Sequence, residues 1–176
     1  QLWLLRAGED MIEWAAASGI EPLWLSRSKR VGPVALANLA RHLRRHRPCL
    51  LYTLTVIPNI WGRLFGALTG VPVIVSGWRN LYPKQHEWLL WRLSRRIICN
   101  AHLLKDVMVR RCGVDPERIA VVPNGVDAQY FSPQPQAKAA VPTVLHAGRL
   151  VPEKNPLGLL EGFRVTAQRV PEAQFV

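Results

Sequence analysis

Alternation is the feature that most constrains this chain. Short apolar runs rich in β-branched residues are separated along the whole sequence by runs with helical spacing. The β-rich runs are 22–26 (PLWLS), 50–55 (LLYTLT), 71–76 (VPVIVS), 96–100 (RIICN), 119–122 (IAVV), 143–147 (TVLHA) and 173–176 (AQFV). Between them the spacing predicts helices over 9–18, 34–46, 58–69, 85–94, 101–112 and 156–169. Gly19, Gly70 and Gly113 follow three of these helices, where a missing Cβ suits a left-handed terminating residue. Pro58 suits a first helical turn, because its missing N–H would have had no partner there. Strands alternating with helices, and apolar without interruption, predict an α/β fold with a mostly parallel sheet covered on both faces and right-handed crossovers. The tract 50–78 carries Arg63 as its only charge. A membrane helix needs only ~20 apolar residues, but Pro58, Gly62, Gly66, Gly70 and Pro72 divide this tract into strand, helix and strand.

The chain has 176 residues, 49% of them hydrophobic and 20% charged, which excludes a disordered tail, a collagen repeat or a coiled coil. Residues 132–142 contain Pro133, Pro135 and Pro142 and read as a linker. The expected organisation is a Rossmann-like domain over 1–131, a linker over 132–142, and the opening β-α-β of a second domain over 143–176. The first strand of the N-terminal domain is expected to be missing, because the chain opens on Gln1 and both ends read as cut. Cys49, Cys99 and Cys112 have no metal-knuckle spacing and read as buried thiols in a reducing compartment. No metal site is expected.

Charge is uneven. The formal net charge is +11, and from Pro22 to His86 there are ten Lys or Arg and no Asp or Glu. Arg41, Arg44 and Arg45 share one helix face. Such a stretch is either a solvated face or a surface for anionic lipid, where each cation near the membrane adds ~1 kcal/mol. Nucleic acid is not expected as a partner, since no recognised motif accompanies the cations.

Two segments carry chemistry. Residues 118–127 (RIAVVPNGVD) take a buried strand into Pro123-Asn124-Gly125, a turn in which Asn and Gly accept positive φ, and Asp127 is placed to cap a helical turn. Residues 146–155 (HAGRLVPEKN) lie between a strand and a helix. Ligands of open α/β sheets bind beyond the carboxyl ends of strands, in such loops. Gly148 lets a phosphate approach the backbone. Arg149 and Lys154 can clamp a diphosphate, one by its planar fork and the other as a point charge, beside a helix N-terminus. The loop reads equally well as a solvated polar connection.

Together, VVPNGVDAQYFSP and VLHAGRLVPEKNPLGLLEGF resemble, in order and spacing, two motifs of the retaining GT-B glycosyltransferases of group 1, family 4. Weaker echoes are GRLFGALTGVPVIVSGWRN and IICNAHLLKDVMVRRCGV, and the resemblance runs from about Leu36 to the end. It implies two Rossmann-like domains, with a nucleoside-diphosphate sugar of UDP or GDP type held mainly by the second. The acceptor would be held mainly by the first, and the basic stretch there points to a lipid-linked or polysaccharide acceptor. Transfer would retain configuration, with no bound cofactor and usually no metal, in a cytoplasmic protein that touches the inner membrane face. The family positions are Arg149 and Lys154 as catalytic and donor-diphosphate cations and Gly148 beneath them. Arg79, Asn80, Asn124 and Gly125 fall on the acceptor side or cleft. The family often has a His after the strand that here continues into Ser76-Gly77-Trp78-Arg79-Asn80; this chain lacks it. The downstream E-x7-E motif is expected beyond Val176.

Other candidates are weaker. His42 and His46 have the i, i+4 spacing of a metal pair but sit in an Arg run and read as solvated. His86 and His102 read as polar caps or surface residues, and His146 is a secondary candidate for touching a ligand. Trp88 and Trp91 read as packing residues rather than a sugar platform. A non-catalytic acceptor- or membrane-binding fragment is the alternative function. An oxidoreductase is disfavoured because no G-x-G-x-x-G follows a predicted strand.

Overall fold

The structure, a computed structural model, describes residues 1–6, 12–133 and 139–176, without the side chains of 12–14. The described chain divides into two compact units, Gln1–Gly125 and Val126–Val176. Residues 134–138 of the expected linker, and 9–11 of the first expected helix, lie outside the described residues.

The first unit runs β1 (Leu2–Leu4), α1 (Ile12–Ala17), β2 (Pro22–Trp24), α2 (Pro33–His46), β3 (Leu50–Leu54) and α3 (Val56–Leu68). It continues through β4 (Val73–Trp78), α4 (Glu87–Leu90), β5 (Arg96–Cys99), α5 (His102–Cys112) and β6 (Ile119–Val121). β3, β4, β5 and β6 form one parallel sheet in sequence order. β1 pairs with β2, also parallel, as a separate two-stranded sheet. The predicted strands and helices are present, most with shorter ends, and the expected 85–94 helix is one α turn followed by a 3₁₀ turn at Trp91–Leu93. β1 was not foreseen: three residues, Leu-Trp-Leu, show no periodicity by themselves, and pairing with β2 makes them a strand.

The second correction concerns the sheet faces. Register partners in a parallel sheet share a face, so Leu51, Thr53, Ile74, Ser76, Trp78, Ile97, Cys99 and Ile119 lie together. The glycines of α3 approach Leu51, Thr53 and Ile74 on this face. Leu104, Met108 and Cys112 of α5, with Trp91, pack against Trp78, Ile97, Cys99 and Ile119. On the other face Leu50, Tyr52 and Leu54 remain 52%, 44% and 42% exposed. Uninterrupted apolar strands predicted cover on both sides. Strands added in sequence order by crossovers of one hand place every helix on one side, and that topology overrides the expectation here.

Gly66 shows how closely α3 descends: a Cβ there would stand 2.9 Å from Leu51 Cδ2 and 3.0 Å from Ile74 Cδ1. At the far end of the sheet Gly113 closes α5 with φ +65°, its N–H reaching Val109 O at 3.1 Å. α2 packs with Leu25, Leu39 and Leu43 at the centre of a second cluster that includes Trp3, Trp61 and Phe65.

A polar network sits inside this packing. Arg63, the single charge of the long apolar tract, is fully buried. Its Nη1 donates to Glu87 Oε2 at 2.6 Å and its Nε to Ser76 Oγ at 2.8 Å. Ser76 Oγ lies 2.9 Å from Ser94 Oγ and 3.0 Å from Thr53 Oγ1, which donates to Asn59 Oδ1. Asn59 Nδ2 donates to Gly77 O. Glu87 is the first acid after the acid-free stretch, and it neutralises Arg63, the one buried cation among the described residues.

The other surface expectations are partly corrected. Cys99 and Cys112 are buried, and burial pushes the Cys99 thiol up to about 11, whereas Cys49 is exposed. His42 and His46 stack on each other at 5.6 Å, and each ring lies 5.8 Å from Trp3 of β1; His42 is half-buried there, while His46 stays exposed as expected of a solvated face. No helix among the described residues is long and apolar enough to cross a membrane.

The second unit contains β7 (Thr143–Val144), α6 (Pro156–Arg169) and β8 (Gln174–Phe175), with β7 and β8 parallel. The segment 143–176 thus makes its own sheet, a single β-α-β. Phe163 of α6 meets Phe175 at 4.6 Å, but Leu145, Leu150, Leu157 and Leu160 are exposed.

Two stability measurements follow from this packing. Glu87→Gln leaves the Arg63 charge buried without its counter-charge and is expected to lower unfolding free energy by ~3–5 kcal/mol in urea titration. The double variant Arg63→Met, Glu87→Leu is expected to recover part of that loss; a shift within about 1 kcal/mol for Glu87→Gln contradicts the buried pair. The His42 pKa is lowered by burial first, then by His46, Arg41 and Arg45. The unfolded chain takes that proton near ~6.5 while the folded one resists it, so the contribution is present above ~6.5 and erodes as pH falls below. Urea midpoints measured from pH 7.5 down should decline, and His42→Asn should flatten that decline.

Candidate functional site

Parallel strands present their carboxyl ends on one edge, and the sequence-predicted residues of the first unit gather there. Trp78 is level with Cys99, and Cys99 with Val121, so Arg79 and Asn80 leave the sheet on the same edge as Val122 to Gly125. Two strand spacings separate them, about 10 Å. Arg79, Asn80, Asn124 and Gly125 are all exposed.

Asn124 and Gly125 do not adopt the positive φ expected of a tight turn. The chain leaves β6 without a turn, and the reversal comes two residues later. There Asp127 Oδ1 accepts the N–H groups of Gln129 at 2.9 Å and Tyr130 at 3.0 Å, the expected cap. Backbone strain sits elsewhere on this edge. Thr55, between β3 and α3, has φ 71°, which costs a β-branched residue about 1–3 kcal/mol. Nothing in the sequence of Thr55 signalled this.

Asn80 lines a cavity of about 280 Å³ with Val56, Trp78, Leu81, Tyr82, Lys84 and His86. Trp78 is 2% exposed, and its Nε1 has no hydrogen-bond partner. His86 is half-buried, with Nε2 3.4 Å from Glu87 Oε1 and no hydrogen bond between them. His86 stands at the expected N-cap position of α4 but makes no side-chain cap bond, and the cavity and the buried Arg63–Glu87 pair meet at its ring. The Trp pair divides. Trp91 is core and donates to Cys112 O at 3.1 Å, while Trp88 is 59% exposed, because α4 is a single turn and only Glu87 and Leu90 point inward.

The basic stretch also divides. Arg63 is neutralised in the core. Arg44 and Arg47 line an open groove of about 460 Å³ with Gly70 and Pro72, which precede β4. That groove is therefore at the amino ends of the strands, opposite the Asn80 cavity. Among the described residues no group of three or more His, Cys, Asp or Glu could hold a metal ion.

In the second unit, Gly148, Arg149 and Lys154 lie in one loop between β7 and α6. Gly148 packs over His146: a Cβ would stand 3.3 Å from the imidazole Nε2, which is buried without a partner. Arg149 and Lys154 are exposed and have no ion-pair or hydrogen-bond partner among the described side chains. Lys154 ends a 3₁₀ turn, Pro152–Lys154, and Asn155 at φ 48° then caps α6 by accepting from Gly158 N–H at 3.3 Å. The loop thus offers two free cations beside a capped helix start.

Residues 5–130 match the family model described as Glycosyltransferase Family 4. An Escherichia coli protein, UDP-Gal:alpha-D-GlcNAc-diphosphoundecaprenol alpha-1,3-galactosyltransferase, is 27% identical over 81% of this chain and 43% of its own length. Mannosylfructose-phosphate synthase of Agrobacterium fabrum is 30% identical over 51% of the chain and 22% of its own length. Among solved structures, Anabaena HepE in complex with UDP and glucose matches 98% of this chain and 51% of its own, with TM-score 0.76 and 17% identity. The lipopolysaccharide outer core galactosyltransferase WaaB matches 99% and 57%, with TM-score 0.65 and 15% identity. The chain spans less than half the length of the curated relatives it matches.

The Asn155 cap fixes where the cationic loop ends. Asn155→Ala is expected to destabilise the start of α6 by ~1 kcal/mol and Asn155→Gly by only a few tenths. Amide hydrogen exchange over the first turn of α6 checks this; equal protection in the alanine variant and the parent contradicts the cap.

Proposed function

Since the chain belongs to glycosyltransferase family 4, we propose that the protein moves a sugar from a nucleoside-diphosphate sugar to a lipid-linked or polysaccharide acceptor with retention of configuration. The observation that carries the proposal is that each unit, taken by itself, offers a site of different character. One is a loop with free cations in the second unit; the other is a cavity at the carboxyl edge of the first. The donor is taken as UDP-linked or GDP-linked. UDP is named in both the galactosyltransferase relative and the HepE complex, and the relative's acceptor is a diphosphate-linked lipid.

The chemistry asked of this chain is electrostatic. When the glycosidic bond to the donor phosphate breaks, negative charge grows on the leaving diphosphate. Arg149 would take two of its oxygens through a planar fork and Lys154 a third as a point charge. Gly148 is assigned to the loop beneath the phosphate. Cations already in place when that charge develops lower the barrier without reorganising. Arg79, Asn80, Asn124 and Gly125 are assigned to the acceptor side, and no bound cofactor is invoked. A cytoplasmic protein meeting its acceptor at the inner membrane face fits this reading. Arg41, Arg44, Arg45 and Arg47 are exposed and available for contact with anionic lipid.

Arg149→Ala and Lys154→Ala in the full-length protein are each expected to lower kcat/KM for sugar transfer by about 10²–10³, the scale of losing one transition-state donor. Circular dichroism should be unchanged, because both side chains are exposed. Undiminished transfer in both variants overturns their assignment.

A further inference from the structure

Arg63 joins two places that lie far apart along the chain. Its Nε donates to Ser76 Oγ at 2.8 Å, near the end of β4, and its Nη1 to Oε2 of Glu87, the first residue of α4, at 2.6 Å. All three side chains are fully buried. One turn earlier on the same face of α3, Asn59 Nδ2 donates to Gly77 O at 2.9 Å. Gly62 lets the helix come this close, since a Cβ there would stand 2.5 Å from Thr53 Cγ2. One face of α3 therefore grips both ends of segment 77–87.

Between those ends the chain has little of its own to hold it. Residues 79–83 lie in no helix or strand and form no backbone hydrogen bond with the described residues. Arg79, Asn80, Leu81, Tyr82 and Lys84 are exposed. The near end is secured twice, by the ladder in which Trp78 is level with Cys99 and by Asn59. The far end opens α4, which is 4 residues long. A helix persists by itself only beyond ~12 residues, so α4 cannot fix that end unaided. Arg63 ties the loose end to the fixed one. A buried ion pair adds little net stability over apolar side chains of similar volume. What it adds here is direction, because a planar guanidinium presents its N–H groups at set angles and an apolar side chain presents none.

Resting on the assignment of Arg79 and Asn80 to the acceptor side, we propose that Arg63 is a positioning residue for the transfer reaction. By holding Ser76 and Glu87 together it closes the base of segment 77–87 and sets where Arg79 and Asn80 stand beyond the carboxyl edge of the sheet. Being fully buried, it touches no substrate itself. Groups on a loop hold a substrate in a reactive geometry only as well as the scaffold beneath fixes them, and here that scaffold turns on one guanidinium.

The test uses the double variant Arg63→Met, Glu87→Leu, which keeps the core filled and removes the clamp. In the 176-residue chain, backbone amide order parameters of residues 79–86 from NMR relaxation are expected above ~0.6 in the parent and below it in the variant, with β5 and α5 unchanged. The second readout is transfer by the full-length protein. The donor is radiolabelled UDP-galactose, UDP-glucose or GDP-mannose, whichever the parent uses, and the acceptor is a lipid extract of the native membranes. The variant should raise the lipid concentration for half-maximal transfer at least tenfold and leave the donor KM within twofold. Leu43→Ala, which weakens the α2 cluster at the opposite end of the sheet, is the control for lost stability and should move neither readout. Order parameters that do not change in the double variant, a freed loop with unchanged lipid dependence, a donor KM that rises as far, or the same two effects in Leu43→Ala overturns the proposal. A freed loop in a full-length parent that glycosylates no lipid removes the acceptor reading and leaves the clamp standing.

Discussion

The Arg63–Glu87 ion pair is the interaction on which the first unit turns. An arginine on a helix that packs glycine-first onto a sheet has no route to solvent, so it must be neutralised where it lies. Taking a charge out of water costs several kcal/mol, and only close pairing and full hydrogen bonding offset that. Glu87 supplies the pairing, and Ser76, Ser94, Thr53 and Asn59 extend it across β3, β4 and the segment before β5, while Arg63 Nη2 and Glu87 Oε1 remain without a partner among the described residues. The consequence is positional. Glu87 begins α4, so the pair ties the segment 79–86 down between β4 and α4, and the cavity wall is built from that segment.

The two units show different stages of the same architecture. In the first, four parallel strands and the helices between them bury one face thoroughly. In the second, one β-α-β leaves Leu145, Leu150, Leu157 and Leu160 exposed and presents a loop whose two cations have no partner among the described residues. The same strand-to-helix connections that leave a carboxyl edge open in the first unit place Gly148, Arg149 and Lys154 in the second. Family membership and the shared fold of HepE and WaaB agree with that repetition.

Much of this was legible in the sequence, and the failures have physical causes. α6 was read residue for residue from its Pro start and apolar spacing, and Gly113 from its place after α5, because both signals are local. The glycosyltransferase resemblance was legible because two motifs occur in order. Burial of Arg63 was not legible, because its partner lies 24 residues away and only the fold brings them together. The bare sheet face depends on strand order, which no single strand encodes. Asn124 and Gly125 looked like a tight turn by residue type, yet Asp127 makes the reversal. Trp91 lies in the core while Trp88 is exposed, a division the sequence does not show because a helix of one turn sorts its faces by contact rather than by period.

The central claim is that the loop from Gly148 to Lys154 receives the diphosphate of a sugar donor. A crystal of the full-length protein soaked with UDP tests it most directly. The account predicts density for the diphosphate within hydrogen-bonding distance of both Arg149 and Lys154, over Gly148. Well-ordered UDP whose phosphates touch neither cation would contradict it.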